Sequence, residues 1–183
     1  MFIPGKIVKQ FKTKKGNEVV IRYPKWEDLE QLTDFINNLS QEDTFVLYNG
    51  EIVTKEQEME YLVQAFRSLE RGNRIQLCAF VGDKLVANSS VIRKRLRAKH
   101  VGTIGISVTK GYREEGIGSE VIKVLIDESR KLGLKMLSID FLANNERAQH
   151  VYQEIGFKEC GCFPKMYFYK GEYVGQILMS LEL

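Results

Sequence analysis

The segment from Thr103 to Ser119 constrains the fold of this chain more than any other. It opens with a β-branched run, part of a strand expected over 101–109, that is typical of a buried strand. A loop with three glycines follows, and the apolar residues after it have helical spacing. The first amides of a helix have no internal partner, and its dipole favours negative charge there. A strand, a glycine-rich loop and a helix in this order therefore predict an anion site.

The spacing within the loop separates three kinds of phosphate site. A Walker loop needs Gly-Lys-Ser/Thr at the start of the helix, but here Gly118 is followed by Ser119 and Glu120. A dinucleotide fingerprint needs a third glycine where this chain has Val121. The pattern that remains is Arg-x-x-Gly-x-Gly, from Arg113 to Gly118.

Length and composition bound the class of protein. The 183 residues are enough for one domain with a full core, which we place at 1–183 with an N-terminal hairpin at 1–23 that extends the core sheet. The net charge of +3 is too small to indicate a nucleic-acid partner, and no apolar run is long enough to predict a membrane partner. The three cysteines argue against a disulfide framework and favour a cytoplasmic protein.

The rest of the chain predicts hairpins interrupted by helices. Helices are expected over 25–39 and from Thr54 to Gly72, where Thr54 and Gln57 have capping-box spacing. Five basic residues within 93–99 are expected at an exposed hairpin end. Closing strands are predicted at 157–163, 167–169 and 173–181. The order β-β-α-α-β-β-β-α-β-α-β-β gives an α/β (α+β) fold with a mixed, mostly antiparallel central sheet, one parallel βαβ pair and flanking helices.

A second pattern follows the phosphate loop. Asn145, Ala148, Tyr152, Gly156 and Phe157 form N-x-x-A-x-x-x-Y-x-x-x-G-F, on a short helix that the first residue caps and the glycine ends. The two patterns in this order resemble the GNAT superfamily of acyl-CoA-dependent N-acyltransferases. The resemblance covers about residues 75–183 and implies the GNAT fold, in which the strand before the loop splays from its parallel neighbour.

The resemblance implies a site for acetyl-CoA. The end of the splayed strand would pair with the pantetheine arm, the amides of 114–119 would hold the pyrophosphate, and the tyrosine would lie near the thioester sulfur. The residues that the resemblance assigns to the cofactor are Ile106, Ser107, Val108, Arg113, Glu114, Glu115, Gly116, Ile117, Gly118, Ser119, Asn145 and Tyr152. Many relatives have Gly-Lys or Arg-Gln where this chain has two glutamates, which puts two acids beside the phosphates.

The chemistry of acyl transfer points to the same tyrosine. Transfer to an amine needs a neutral amine, an oxyanion donor and a way to release thiolate. A tyrosine hydroxyl, ordinarily of pKa ~10, is protonated at pH 7, so Tyr152 can protonate or hydrogen-bond a developing thiolate. The amide of Val108 is the expected oxyanion donor.

The base and the nucleophile have more than one interpretation. Asp140 is the candidate base and shares a strand face with Ser138. A relay through water, or the acids Glu42 and Asp43, are the alternatives. The cysteines at 160 and 162 allow either a covalent acyl-cysteine relay or buried inert thiols, and we favour the second. The two histidines are far apart, so we expect no metal.

The sequence thus predicts an N-acetyltransferase that moves the acetyl group of acetyl-CoA directly to a primary amine. The acceptor is expected to be a small molecule, a peptide or a protein N-terminus. The acids and aromatic residues of 40–53 favour a cationic acceptor. The alternative is a CoA-binding sensor or inactive module on the same fold. The oligomeric state stays open, a homodimer included.

Overall fold

The computed structural model of the chain describes residues 2–42, 45 and 50–183. Within these ranges there are four helices and eight strands. The helices are α1 (Leu29–Gln41), α2 (Lys55–Glu70), α3 (Ile117–Lys131) and α4 (Glu146–Ile155). The strands are β1 (Ile7–Lys12), β2 (Glu18–Arg22), β3 (Arg74–Val81), β4 (Lys84–Arg93), β5 (Val101–Val108), β6 (Met136–Leu142), β7 (Lys158–Tyr169) and β8 (Glu172–Glu182).

All eight strands form one sheet in the order β1-β2-β3-β4-β5-β6-β8-β7. Every neighbouring pair is antiparallel except β5 and β6, which α3 connects as a parallel crossover. The predicted mixed, mostly antiparallel sheet with one parallel pair is therefore confirmed. The basic turn at 93–99 connects β4 to β5 and is largely exposed, as expected.

The helices cover both faces of the sheet. Arg22 ends β2 and forms a bidentate ion pair with Asp28, just before α1, with N–O distances of 2.6 and 2.7 Å. The next residue, Tyr23, points the other way and donates its hydroxyl to Glu128 of α3 at 2.7 Å. Adjacent residues of an extended chain point to opposite faces, so α1 and α3 lie on opposite sides. None of the helices in the described ranges is long and apolar enough to cross a membrane.

Local capping explains why several boundaries match the prediction. Thr54 and Gln57 form the expected reciprocal cap of α2. The side chain of Asn145 accepts from the amide of Ala148 at 3.1 Å and starts α4, while Gly156 ends that helix with φ of 108°. These ends depend only on residues close in sequence, which is why the sequence predicts them.

Two elements differ from the prediction. The expected helix at 25–39 begins as a short 3-10 turn at Trp26–Asp28, because the Asp28 carboxylate accepts from the amide of Lys25 at 2.9 Å and tightens that turn. The two strands expected at 157–163 and 167–169 are one strand, β7. Its register shifts between Phe163 and Tyr167, around Pro164, and an edge strand tolerates proline at such an irregularity.

Candidate active site

The loop between β5 and α3 presents a row of free amides. The backbone N–H groups of residues 114–119 have no acceptor among the described residues, and the first helical bond runs from the amide of Glu120 to the carbonyl of Gly116 at 3.0 Å. Glu114 and Gly116 both have positive φ, 68° and 85°. This backbone turns successive amides toward one side of the loop, which is the geometry of an anion-binding nest.

The space beside these amides fits a phosphate. A Cβ built on Gly116 would meet no atom within 4 Å. One built on Gly118 would lie 3.7 Å from Val108, an ordinary contact. Packing within the protein therefore does not demand glycine at 118. An anion approaching the amides closely does, because a side chain would occupy its place.

The two glutamates of the loop turn away from the amides. Glu114 forms an ion pair with Arg147 of α4 at 3.0 Å. Glu115 is buried and faces the β1–β2 hairpin, where Asn17 donates to its carboxylate at 2.8 Å and Thr13 at 2.9 Å. The hydrogen bond from Asn17 is the main cause that holds the pKa of Glu115 below its usual range. Neither acid needs to face a bound phosphate.

Arg113 connects the loop to two other elements. Its Nε donates to the carbonyl of Val108 at 2.8 Å, and its guanidinium pairs with Glu42 at the end of α1. The Glu42 carboxylate also accepts from the amide of Lys110 at 3.3 Å. Glu42 therefore carries its charge toward the cofactor loop. Asp43, the other acid considered for the acceptor, lies outside the described residues.

A gap opens between the two parallel strands. β5 pairs with β6 only from Val101 to Thr103, although β4 pairs with β5 as far as Val108. The amide of Thr109 donates to β4, so the alternation of an antiparallel ladder turns the main chain of Ser107 toward β4. The main-chain groups of Ile106 and Val108 then face the gap.

Tyr152 lies on α4 and packs on Phe141 of β6, beyond the part of that strand that pairs with β5. The side chain is buried and its ring packs against Phe141 and Phe157, with centroids 5.2 and 6.0 Å away. Burial, with a smaller contribution from the charge of Asp140, raises the pKa of Tyr152 to about 12. The hydroxyl has no hydrogen-bond partner among the described residues, yet it is not fully enclosed. The hydroxyl can therefore donate a hydrogen bond to a bound molecule.

Asp140 lies on the opposite face of β6 from the tyrosine. Its neighbour Phe141 packs on Tyr152, so strand alternation turns Asp140 to the other side, where it is exposed. The Asp140 carboxylate accepts from Gln176 at 2.6 Å, and the same amide nitrogen donates to the hydroxyl of Tyr167 at 2.8 Å. Burial first, then the charge of Asp140, raises the pKa of Tyr167.

Gln176 and Tyr167 are site residues that the sequence analysis did not name. β8 lies between β6 and β7 in the sheet, and this order places Gln176 and Tyr167 next to Asp140. Residues 167 and 176 are 27 and 36 positions from Asp140, and no local spacing encodes that register.

Cys160 and Cys162 are both exposed, which corrects the interpretation of these residues as buried thiols. Strand side chains point to the two faces of the sheet, and all residues of β7 from Lys158 to Met166 are exposed, so neither face is covered there. Cys160 lies 3.0 Å from the hydroxyl of Ser180.

An open groove of about 950 Å³ passes the start of α3. It is lined on one side by Gly116 and Ser119 of the loop and on the other by lysines 9, 12 and 14 of the hairpin. The gap between β5 and β6 is a separate feature, since no residue of these strands lines the groove.

Comparison with known proteins gives a consistent result. A profile described as "Acetyltransferase (GNAT) family" matches residues 26–157. The L-amino acid N-acetyltransferase AaaT of Escherichia coli (strain K12) is 26% identical over 116 residues, which are 62% of this chain and 72% of that protein.

Solved structures with the same fold superpose on this chain. An acetyltransferase of the GNAT family from Streptococcus pneumoniae gives a TM-score of 0.81 at 26% identity, over 90% of this chain and 99% of its own. The structure of YncA from Salmonella typhimurium, with its cofactor acetyl-CoA, gives 0.78 at 17% identity over 90% and 94%. The second likeness is one of fold alone.

Proposed function

Because the chain belongs to the GNAT acetyltransferase family, we propose that it transfers the acetyl group of acetyl-CoA directly to a primary amine. The observation that carries this proposal is the row of six free amides at the start of α3, directly after the strand that borders the gap between β5 and β6. A CoA-binding sensor would use the same amides. The proposal of an enzyme has further support, because the hydroxyl of Tyr152 has no partner among the described residues and the curated relative is an acetyltransferase.

The protein would hold the cofactor mainly through its backbone. The amides of 114–119 would bind the pyrophosphate, and the main-chain groups of Ile106 would pair with the pantetheine arm as an added strand does. Asn145 uses its side-chain oxygen to cap α4, so its amide nitrogen is the group left for the cofactor. When bound, acetyl-CoA supplies an acyl group that is activated as a thioester.

The raised pKa of Tyr152 selects between its two possible roles. Full proton transfer from a hydroxyl of pKa about 12 to a thiolate, whose thiol has an ordinary pKa of ~8.5, is uphill. A hydrogen bond from the hydroxyl to the sulfur needs no uphill proton transfer. This hydrogen bond becomes stronger as negative charge develops on the sulfur. Tyr152 therefore acts as a hydrogen-bond donor to the leaving sulfur.

The amide of Val108 would stabilise the negative charge that develops on the carbonyl oxygen of the thioester. It lies at the last residue of β5 and faces the gap by the alternation of the ladder. A donor fixed in a strand needs no reorganisation when an oxyanion forms, which is how such donors lower a barrier. Arg113 holds the carbonyl of the same residue, so the end of the strand stays in place.

The acceptor amine would approach from the face of Asp140, Gln176 and Tyr167. Asp140 would accept a proton from the amine, directly or through water, and Gln176 holds its carboxylate in position. Asp140 is exposed, so it lowers the cost of removing the proton only modestly. A peptide α-amine, of ordinary pKa ~8, then loses its proton more easily than a lysine side chain of pKa ~10.4. We propose α-amines of small molecules or of protein N-termini as the acceptor class.

A turnover screen tests this proposal. Release of CoA from acetyl-CoA would be followed with amino acids, polyamines, aminoglycosides and peptides with free N-termini. We expect turnover with at least one α-amine and slower reaction at lysine side chains. Tight CoA binding without turnover on any amine would favour the sensor instead.

A further inference from the structure

The β1–β2 hairpin lies outside the residues that the family profile matches, which begin at 26. Its turn nevertheless reaches the cofactor loop. We propose that Thr13 and Asn17 of this turn are positioning residues for the nucleotide part of the cofactor, acting through Glu115. The inference rests on the proposed function, because it assumes that the amides of 114–119 bind a pyrophosphate.

The contact is built from a buried carboxylate and three donors. Glu115 keeps 2% of its side-chain surface exposed, deep under the hairpin turn. One oxygen accepts from the hydroxyl of Thr13 at 2.9 Å and from the side-chain amide of Asn17 at 2.8 Å. The other lies 3.4 Å from the ammonium of Lys15. Charge-assisted hydrogen bonds to a carboxylate are stronger than neutral ones, so this contact fixes the residue that bears it.

The turn presents these donors in a fixed arrangement. The amide of Thr13 donates to the carbonyl of Asn17 and the amide of Gly16 to that of Thr13, both at 2.9 Å. The hydroxyl of Thr13 also accepts from the backbone amide of Asn17 at 3.2 Å. Gly16 has a φ of 87°, which suits glycine, so the turn closes without strain. The two donors are therefore held before any ligand arrives.

The position of Glu115 explains why this matters for binding. It stands between Glu114 and Gly116, whose positive φ values aim the six amides. If the contact were lost, the loop could relax, and the Glu115 carboxylate could turn toward the phosphates and repel them. The hairpin thus shapes the anion site and keeps a negative charge out of it.

A purely electrostatic view predicts the opposite sign. Glu115 adds a negative charge near an anion site, so removing its contacts or its charge would leave binding unchanged or tighter. The positioning view predicts weaker binding when the hairpin donors are removed, although no residue of the loop is altered.

The experiment uses Thr13→Val and Asn17→Ala in the full chain. Thr13→Val keeps the shape of the side chain and removes only the hydroxyl. The Kd of CoA is measured by calorimetry, and kcat/KM is measured with acetyl-CoA and with acetyl-pantetheine, which lacks the pyrophosphate. We expect each variant to lose on the order of tenfold in CoA affinity and in kcat/KM with acetyl-CoA, as for a hydrogen bond to a charged group. The constants for acetyl-pantetheine should stay at the parent's values.

Glu18→Gln is the matched control, since Glu18 is in the same hairpin and pairs with Lys12 instead of the loop. It should bind CoA as the parent does. If Thr13→Val does not fold, Asn17→Ala and Glu115→Ala carry the test. The double variant Asn17→Ala with Glu115→Ala should lose no more CoA affinity than the weaker-binding single variant, because both substitutions remove the same contact.

Two results would overturn the inference. One is unchanged or tighter CoA binding in the hairpin variants. The other is an equal loss with both acyl donors, which is what a merely structural role produces. Failure of the proposed function looks different, because the parent itself would then fail to bind CoA or to turn over either donor.

Discussion

Two buried glutamates show a difference between two regions of the molecule, the cofactor loop before α3 and the region of α2 and β3. Glu115, in the loop before α3, accepts hydrogen bonds from the hairpin, and these lower its pKa. The carboxylate of Glu58, on α2, makes no hydrogen bond among the described residues, and burial raises its pKa to about 7. Arg74 is the nearby charge that partly offsets this rise.

The contrast extends beyond these two residues. Among the charged side chains of the loop, Arg113, Glu114 and Glu115 have partners, and the six backbone amides have no acceptor among the described residues. On β3, beside α2, Arg74 Nε and Gln76 Oε1 are buried without a partner in the part of the chain that the structure describes. The free groups proposed for a phosphate are thus backbone amides, whereas the region of α2 and β3 contains buried side-chain atoms without a partner.

The largest effect is expected where the backbone itself binds. Gly116→Asp places a carboxylate and a Cβ beside the amides and strains a residue with φ of 85°. We expect CoA affinity to fall by at least ~100-fold, measured by calorimetry. Gly111→Asp is the control, because a Cβ there also meets open space but lies before the free amides. Equal affinity in the two variants would contradict the assignment of the anion site.

Loss of the hydroxyl of Tyr152 is expected to come next. Tyr152→Phe keeps the ring and its packing, so the melting temperature and the Kd of CoA should stay unchanged. A hydrogen bond to a developing charge contributes ~1.5–3 kcal/mol, so kcat should fall ~10–100-fold with little change in KM. A kcat within twofold of the parent's, with chemistry shown to limit the rate, would leave Tyr152 as a core aromatic only.

The same contrast explains what the sequence predicts well. The cofactor loop and α4 depend on local patterns, from Arg113 to Gly118 and from Asn145 to Gly156. Each pattern specifies the backbone conformation of its own residues. Helix caps and turns obey the same logic. These features need no knowledge of which strands become neighbours.

The surroundings of Asp140 depend on pairing between distant strands. Gln176 reaches Asp140 only because β8 inserts between β6 and β7. Cys160 and Cys162 are exposed because β7 is uncovered on both faces, which its own sequence does not indicate. The carboxylate of Glu42 is taken by Arg113, 71 residues away. Strand order and long-range ion pairs leave no local periodicity in a sequence, so reasoning from spacing misses them.

Asp140→Asn tests the acceptor face at smaller scale. General bases typically contribute ~10²–10⁴-fold, but water can partly replace an exposed carboxylate, so we expect kcat/KM for the acceptor to fall ~10-fold at pH 7. The loss should shrink as the pH rises through the pKa of the amine, because the acceptor then arrives neutral. CoA affinity should not change. A loss that is the same at every pH would instead assign Asp140 to binding of the acceptor.

The smallest effect concerns stability. The pKa of Glu58 is raised from 4.5 to about 7 in the folded protein, so its contribution to stability is fully present below pH 4.5 and is lost as the pH rises through 7. Glu58→Gln stays neutral at every pH, so it should match the parent at pH 4 and exceed it at pH 8. Because solvent reaches part of this site, we expect a gain of about 1 kcal/mol, or ~2–4 °C in melting temperature. Glu60→Gln, on the exposed side of the same helix, is the control and should show no such pH dependence. If Glu58→Gln were less stable than the parent at pH 8, Arg74 would hold the Glu58 carboxylate as firmly as the hairpin holds that of Glu115. The contrast between the two glutamates would then disappear.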